Sequence, residues 1–314
     1  MKLVAYIRGG LGDTWIAITA LKPIIDKYNI SKFDITIITD SVYYFRVNYS
    51  DELERFSIDT INKISPNIIK VSPFINNNFR IAIDDVTDEL SQENADKFVN
   101  EFMFWRPPEL KEFVRKFIGP DTIFVDCPFA ECIMKWNCDK QKYERIGDKR
   151  AQFQFNPSKV EKGYIDDLLS NPKHILIHTR KKQEGTSHVE SDKYYNEIIK
   201  FCNAKQINVI ILGTDTTILH GDYVDLRGET PLSFEGFCYL LDECNIMLGS
   251  DSGVSHIKLY QQQRDKLLIM DHARYERSNW CKDAFKKSNC LLLDAKKGNV
   301  GIIKNAIGEY YENK

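Results

Sequence analysis

Short apolar runs, each followed by a stretch with helical spacing, recur along the whole chain. "LVAYI" at residues 3–7 leads through glycines into Trp15–Ile25, whose apolar positions repeat as one face of a helix does. "KFDITIITD", "NIIKVSPF", "FRIAIDDV" and "DTIFVDCPF" read as further strands of the first half. "ENADKFVNEFMFW" and "PELKEFVRKFI" read as helices separated by Pro107-Pro108. "DKQKYERIGDKR" and Pro157 then interrupt the pattern, which marks a domain boundary. The alternation restarts with "KHILIHT", "DKYYNEIIKFCNAK", "INVIILGT", "YVDLRG", "LSFEGFCYLLDEC", "NIMLGSD", "GVSHIKLYQQQ" and "DKLLIMD", and "VGIIKNAIGEYYEN" closes it as a helix. Apolar strands alternating with amphipathic helices bury their faces only as parallel sheets covered by helices on both sides. The expected fold is α/β: two Rossmann-like domains facing a cleft, residues 1–155 and 156–314, with the last helix free to pack back on the first domain.

Composition narrows the partners. The chain has 314 residues, 43% hydrophobic and 28% charged, with a net charge of −2 and a pI near 6.3. That balance disfavours nucleic acid as a partner. No apolar run is long enough to span a bilayer, and the first residues enter a strand without a cleavage site, so the expected location is the cytoplasm. The eight cysteines are scattered, as reduced thiols are. Cys127, Cys132 and Cys138 lie close together but fit no zinc spacing, so no metal site is expected there.

Ligands of such sheets bind beyond the carboxyl ends of the strands, which singles out the loops found there. The first is "RGGLGDT": Arg8, Gly9, Gly10, Leu11, Gly12, Asp13 and Thr14. It resembles a dinucleotide fingerprint, and Asp40 has the place of a ribose-binding acid. Two features oppose that reading. Trp15 occupies a position that needs a small residue, and Asp13 would set a carboxylate beside a diphosphate. Asp13 also reads as a simple helix cap.

The second loop is "LGSDSGVSHIK", Leu248 to Lys258. A strand ends at Gly249, and Ser250, Asp251, Ser252 and Gly253 make the turn. A helix then begins whose N–H groups at Gly253, Val254 and Ser255 suit an anion, with His256 one turn in. Its plainer reading is a capped helix with a half-buried histidine. The third is "HTRKKQEGTSH", where Arg180, Lys181 and Lys182 suit phosphate oxygens or form a solvated loop. The fourth is "LGTDTT", where Thr214 and Asp215 follow a strand and face a sugar hydroxyl. The anion cradle thus belongs to the second domain, and Asp13 belongs to the other reactant.

"RGGLGDTWIAITALKPI" and "DLRGETPLSFEGFCYLLDECNIMLGSDSGVSHI" together resemble the paired motifs of the heptosyltransferase-type glycosyltransferases, glycosyltransferase family 9, which have the GT-B fold. The resemblance covers the first few dozen residues and most of the second half. It implies an inverting transfer from a nucleotide-diphosphate sugar, ADP-heptose in the best-known members, with no metal or other cofactor; the chain has no Asp-x-Asp pair. Asp13 matches the proposed catalytic base, which removes the acceptor hydroxyl's proton. The Asp251–His256 turn would hold the leaving diphosphate, with Arg180, Lys181 and Lys182 neutralising its charge and Thr214 and Asp215 beside it. Arg8–Leu11, Gly12 and Thr14 would line the acceptor side.

The chain departs from the family before the helix at Tyr194, where "TSHVESDKYY" lacks the usual lysine and aromatic–proline pair, and after His256, where "IKLYQQQ" replaces small residues. Both departures bear on which sugar is carried. The acceptor is expected to be a glycan, glycolipid or protein hydroxyl. "FVNEFMFWRPPELKEFVRKF" mixes aromatic and basic residues that could touch the inner membrane face, or else forms an ordinary amphipathic helix. "MDHARYERSNW" offers Arg274, Tyr275 and Trp280 to donor or acceptor. Two rival readings use the same second-domain turn. One is a nucleotide-sugar epimerase or hydrolase, the other a non-catalytic nucleotide-sugar-binding protein.

Overall fold

The computed structural model describes residues 1–7, 11–39, 60–70, 122–127, 134–137, 142–145, 151–179, 192–213, 218–228, 232–250, 252–261, 265–272, 289–294 and 299–313. The strand expected at 79–86 and the helices expected at 93–105 and 108–118 lie outside them. The chain divides into two compact units, Met1–Ala151 and Gln152–Lys314, where the sequence suggested a division after residue 155.

The first unit runs β1 (Lys2–Ile7), α1 (Leu11–Tyr28), a 3-10 turn (Lys32–Asp34), β2 (Ile35–Thr39), β3 (Asn67–Lys70), β4 (Thr122–Cys127), β5 (Met134–Asn137) and β6 (Lys142–Arg145). Its sheet has the order β3-β2-β1-β4-β5-β6. β1, β2, β3 and β4 pair in parallel, but β5 and β6 add an antiparallel hairpin at the edge. This corrects the all-parallel expectation. β6 lies inside the charged segment taken for a boundary. Edge strands keep charged residues to resist further pairing, so they show no apolar run, and Lys135 stands opposite Glu144 here. The central strand β1 is buried from Leu3 to Ile7.

α1 starts at Leu11, so Gly12 and Asp13 belong to its first turn rather than to the loop before it. Trp15, Ile16, Ile18 and Leu21 of α1 are fully or almost fully buried, as are Ile35, Ile37 and Ile38 of β2.

The second unit runs α2 (Lys159–Leu168), β7 (His174–Thr179), α3 (Asp192–Ala204), β8 (Asn208–Gly213), β9 (Val224–Asp225), α4 (Phe234–Glu243), β10 (Ile246–Ser250), α5 (Gly253–Gln261), β11 (Leu267–His272), β12 (Cys290–Asp294) and α6 (Val300–Glu312). The sheet order is β12-β11-β10-β7-β8-β9, with every pair parallel. Chain order therefore reverses between β7 and β10, which is the topological switch point where open α/β sheets bind ligands.

α2 and β12 were not expected from the sequence. α2 buries only Ile165, so its apolar pattern is faint. β12 is a short edge run with no clear helical pattern before it.

One core lies between this sheet and α3 and α6. It joins Ile175, Ile177, Val209, Ile211, Ile246, Leu248 and Ile269 of the strands to Ile198, Ile199 and Cys202 of α3 and Ile303 and Ile307 of α6. Ile303 and Ile307 are the buried residues of α6, and both enter this core. Tyr311 of α6 also bonds the backbone of His174: its hydroxyl accepts from the N–H at 2.8 Å and donates to the carbonyl.

Successive residues at the division bind different units. The Ala151 N–H donates to the Thr19 carbonyl of α1 at 2.7 Å. The Phe153 N–H donates to Gln261 Oε1 at 3.3 Å, and Gln261 Nε2 donates to the Phe153 carbonyl at 2.8 Å. Gln261 is buried at the last residue of α5, so the start of the second unit is fastened to that helix.

Candidate functional site

The switch point places the end of β7, the end of β10 and the start of α5 together. Ile175, Ile177, Ile246 and Leu248 face the α3–α6 core, so the period-two alternation of a strand turns His178 and Gly249 to the opposite face. α5 lies there. A Cβ on Gly249 would come within 2.7 Å of Ser255 Oγ and 3.6 Å of the His178 Cβ. Only glycine lets the helix start this close to the strand.

Four polar residues meet at this point. Ser252 precedes α5 and caps it. Its carbonyl accepts the His256 N–H at 3.1 Å, and its hydroxyl oxygen accepts the Ser255 N–H at 3.4 Å. The Ser255 hydroxyl donates to the Ser250 carbonyl at 2.6 Å, which ties the first turn of the helix to the end of the strand. Ser252 Oγ lies 3.4 Å from Ser255 Oγ and 3.4 Å from Nδ1 of His178. The Ser250 hydroxyl is fully buried and has no hydrogen-bond partner among the described residues. His256 sits one residue deeper in α5, 7% exposed, with its ring 6.4 Å from that of Tyr260.

Such a turn can hold an anion. A helix leaves its first N–H groups without intrahelical partners, and its dipole favours negative charge at that end. Gly253 and Val254 occupy that first turn. The far end of α5 is anchored by Lys258, which is buried and donates to the carbonyls of Leu241 at 2.6 Å, Asp242 at 3.2 Å and Cys244 at 2.9 Å. The lysine thereby caps the C-terminus of α4. Burial pulls its pKa below the ordinary lysine value and pushes that of the Cys244 thiol up.

Of the residues singled out in the sequence, the structure brings Ser252, Gly253, Val254, Ser255 and His256 together. Asp251, Arg180, Lys181, Lys182, Thr214 and Asp215 lie outside the described residues, as do Arg8, Gly9 and Gly10, Asp40, Arg274, Tyr275, Trp280 and the aromatic–basic stretch 98–117. The strands that lead into Arg180, Thr214 and Asp251 are described to their last residues. At β8 this is Gly213, whose φ of +139° and 2.2 Å approach of a notional Cβ to the Thr179 carbonyl require glycine. In the first unit, Asp13 is in the first turn of α1, while Leu11 and Thr14 are buried packing residues of that turn. Trp15 is fully buried, so the position that a dinucleotide site needs small is filled by an indole.

The sequence puts His178 at the head of the third loop, Gly249 at the strand end and Ser250 in the turn, but gives none of the three a role. His178 had a visible signal, as a histidine next to the last residue of a strand that ends at the expected ligand edge. Cys127 lies in β4, with Cys132 and Cys138 outside the described residues. Among the described residues no cluster of three His, Cys, Asp or Glu side chains is placed to hold a metal ion, and no helix is long and apolar enough to cross a membrane.

Solved structures share this architecture. The glycosyltransferase family 9 protein of Veillonella parvula is 10% identical, with 99% of this chain and 96% of its own covered at a TM-score of 0.57. ADP-heptose lipopolysaccharide heptosyltransferase II of Escherichia coli is 12% identical over 99% of this chain and 100% of its own, with a TM-score of 0.54. The E. coli heptosyltransferase WaaC, solved with ADP-2-deoxy-2-fluoro heptose, is 11% identical over 100% and 99%, with a TM-score of 0.52. No family model and no curated protein matches the sequence. At these identities the likeness is one of fold: the chain has the GT-B fold of the heptosyltransferase-type glycosyltransferases.

Proposed function

We propose that the chain is an inverting, metal-independent glycosyltransferase that moves a sugar from a nucleotide-diphosphate donor to an acceptor hydroxyl of a glycan, glycolipid or protein. The observation that carries this reading is the serine-lined N-terminus of α5 at the switch point of the second sheet. It supplies N–H and O–H donors where a leaving diphosphate gathers charge. Arg180, Lys181 and Lys182 follow β7 in the chain and would add cations, Thr214 and Asp215 follow β8, and Asp251 follows β10.

Asp13, in the first turn of α1, takes the proton of the attacking hydroxyl. A carboxylate at a helix N-terminus is favoured in its charged form, as a base must be. One structure of the same fold is an ADP-heptose heptosyltransferase and another was solved with ADP-2-deoxy-2-fluoro heptose, so adenosine diphosphate sugars are the first donors to test.

The test has two parts. A thermal-shift and calorimetric panel of nucleoside diphosphates and their sugars should show one nucleoside diphosphate raising the melting temperature, since a ligand that binds only the folded state stabilises it by mass action. Asp13→Asn should then lower transfer by about a hundred- to ten-thousand-fold, the usual range for loss of a general base, with donor affinity unchanged. Silence across the panel overturns the reading. Equal loss of binding and transfer in Asp13→Asn removes that residue's role as base.

A further inference from the structure

His178 lies in β7 and Ser252 lies between β10 and α5, on either side of the switch point, and their side chains meet at 3.4 Å. The proton bookkeeping around Ser252 is informative. A serine hydroxyl has one proton and two lone pairs. One lone pair takes the Ser255 N–H. The Ser255 hydroxyl gives its own proton to the Ser250 carbonyl, so toward Ser252 it can only accept. The direction of the His178 contact then decides what Ser252 can do. If Nδ1 is bare, it draws the Ser252 proton to itself. If Nδ1 carries a proton, it fills the second lone pair, and the Ser252 proton is left for another acceptor.

Resting on the reading of this turn as the diphosphate site, we propose that His178 is a positioning residue for the donor. With diphosphate bound, His178 donates from Nδ1 to Ser252 Oγ, and Ser252 donates to a phosphate oxygen. The imidazole acts through the serine and does not itself take part in the transfer. Nothing in the motif around Ser252 signals this role, because the histidine arrives from a strand 74 residues earlier in the chain.

The experiment measures affinity for ADP and for inorganic pyrophosphate by calorimetry in the wild type and in His178→Ala, His178→Asn, Ser252→Ala and the double variant His178→Ala/Ser252→Ala. The melting temperature of each is recorded as a check on folding. Loss of one hydrogen bond predicts about a fivefold weaker affinity in His178→Ala. His178→Asn, whose amide keeps a donor close to the position of Nδ1, should recover most of it. In the Ser252→Ala background the further change His178→Ala should cost nothing, because the contact it serves is already gone. Side-chain nitrogen NMR, with His178 assigned from its variants, should show Nδ1 protonated in the pyrophosphate complex.

A histidine that only packs the strand end would give the same loss in both serine backgrounds and no recovery with asparagine. Either result overturns the proposal, as does wild-type affinity in His178→Ala. Should His178→Ala fail to fold, the comparison of His178→Asn with His178→Gln replaces it, since glutamine carries its donor one bond further out and should bind more weakly. A wild type that binds neither ADP nor pyrophosphate overturns the diphosphate site itself, and the role of His178 falls with it.

Discussion

β1–α1 and β10–α5 are built to one plan and bury different things. Each is a central strand, buried throughout in β10 and from Leu3 onward in β1, followed by a helix at the point where its sheet reverses order. Along α1 the buried positions are mostly apolar, led by Trp15, Ile16, Ile18 and Leu21. Along α5 they include Ser255, His256, Lys258 and Gln261. Polar groups are costly to bury without partners, so a helix that buries several must spend them on specific bonds. α5 does so through Ser255 on β10, Lys258 on α4 and Gln261 on the Phe153 backbone. The first segment is therefore held by apolar burial. The second is fixed by directed hydrogen bonds that also set the geometry of the α5 N-terminus.

The largest test of this contrast is Trp15→Ala. Emptying a fully buried indole site costs about 3–5 kcal/mol in large-to-small series, and denaturant unfolding should show a loss of that order. A loss below about 1 kcal/mol would mean that α1 is not held by apolar burial, because surface substitutions fall in that range.

Lys258→Met comes next. It keeps the aliphatic volume and removes the donor, leaving the carbonyls of Leu241 and Cys244 buried without it. The expected cost is about 1–3 kcal/mol, with faster amide hydrogen exchange in α4 and α5 and unchanged exchange in α1. Equal acceleration in α1 would break the contrast.

The smallest effect is an acid response. Glu161 in the first turn of α2 accepts from the Ser158 N–H and hydroxyl and from the Ser233 N–H, which links the N-termini of α2 and α4. These bonds hold its pKa down from the ordinary 4.5 to about 2, with the Ser233 contact the largest cause. A depressed carboxylate stabilises fully above its unfolded pKa, so this contribution is complete above 4.5 and is lost as pH falls towards 2. Glu161→Gln should flatten that part of the stability curve. An unchanged curve would place the acid sensitivity elsewhere.

The alternation of apolar strands and helices was legible because central strands of a parallel sheet are buried on both faces, as β1, β7 and β10 are. The turn into α5 was legible for a local reason: cap, glycine and hydroxyls are adjacent in sequence from Ser252 to Ser255. The β5–β6 hairpin was not, since an edge pair is stabilised by backbone bonds and carries no apolar signature. α2 was hidden because one buried residue, Ile165, makes no period.

Sequence alone determined that this chain forms two α/β units and that the second carries a helix N-terminus suited to an anion, because both follow from short-range patterns of burial and capping. Tertiary structure decided the rest. It set the order of strands that brings His178 beside Ser252, the glycine at 249 that admits Ser255 to the strand end, and the lysine and glutamine that hold α5 from its far end. Those partners are separated by anything from a few residues to more than a hundred. The free energy that selects them comes from satisfying buried polar groups after the chain has folded around them, and no local pattern records that requirement.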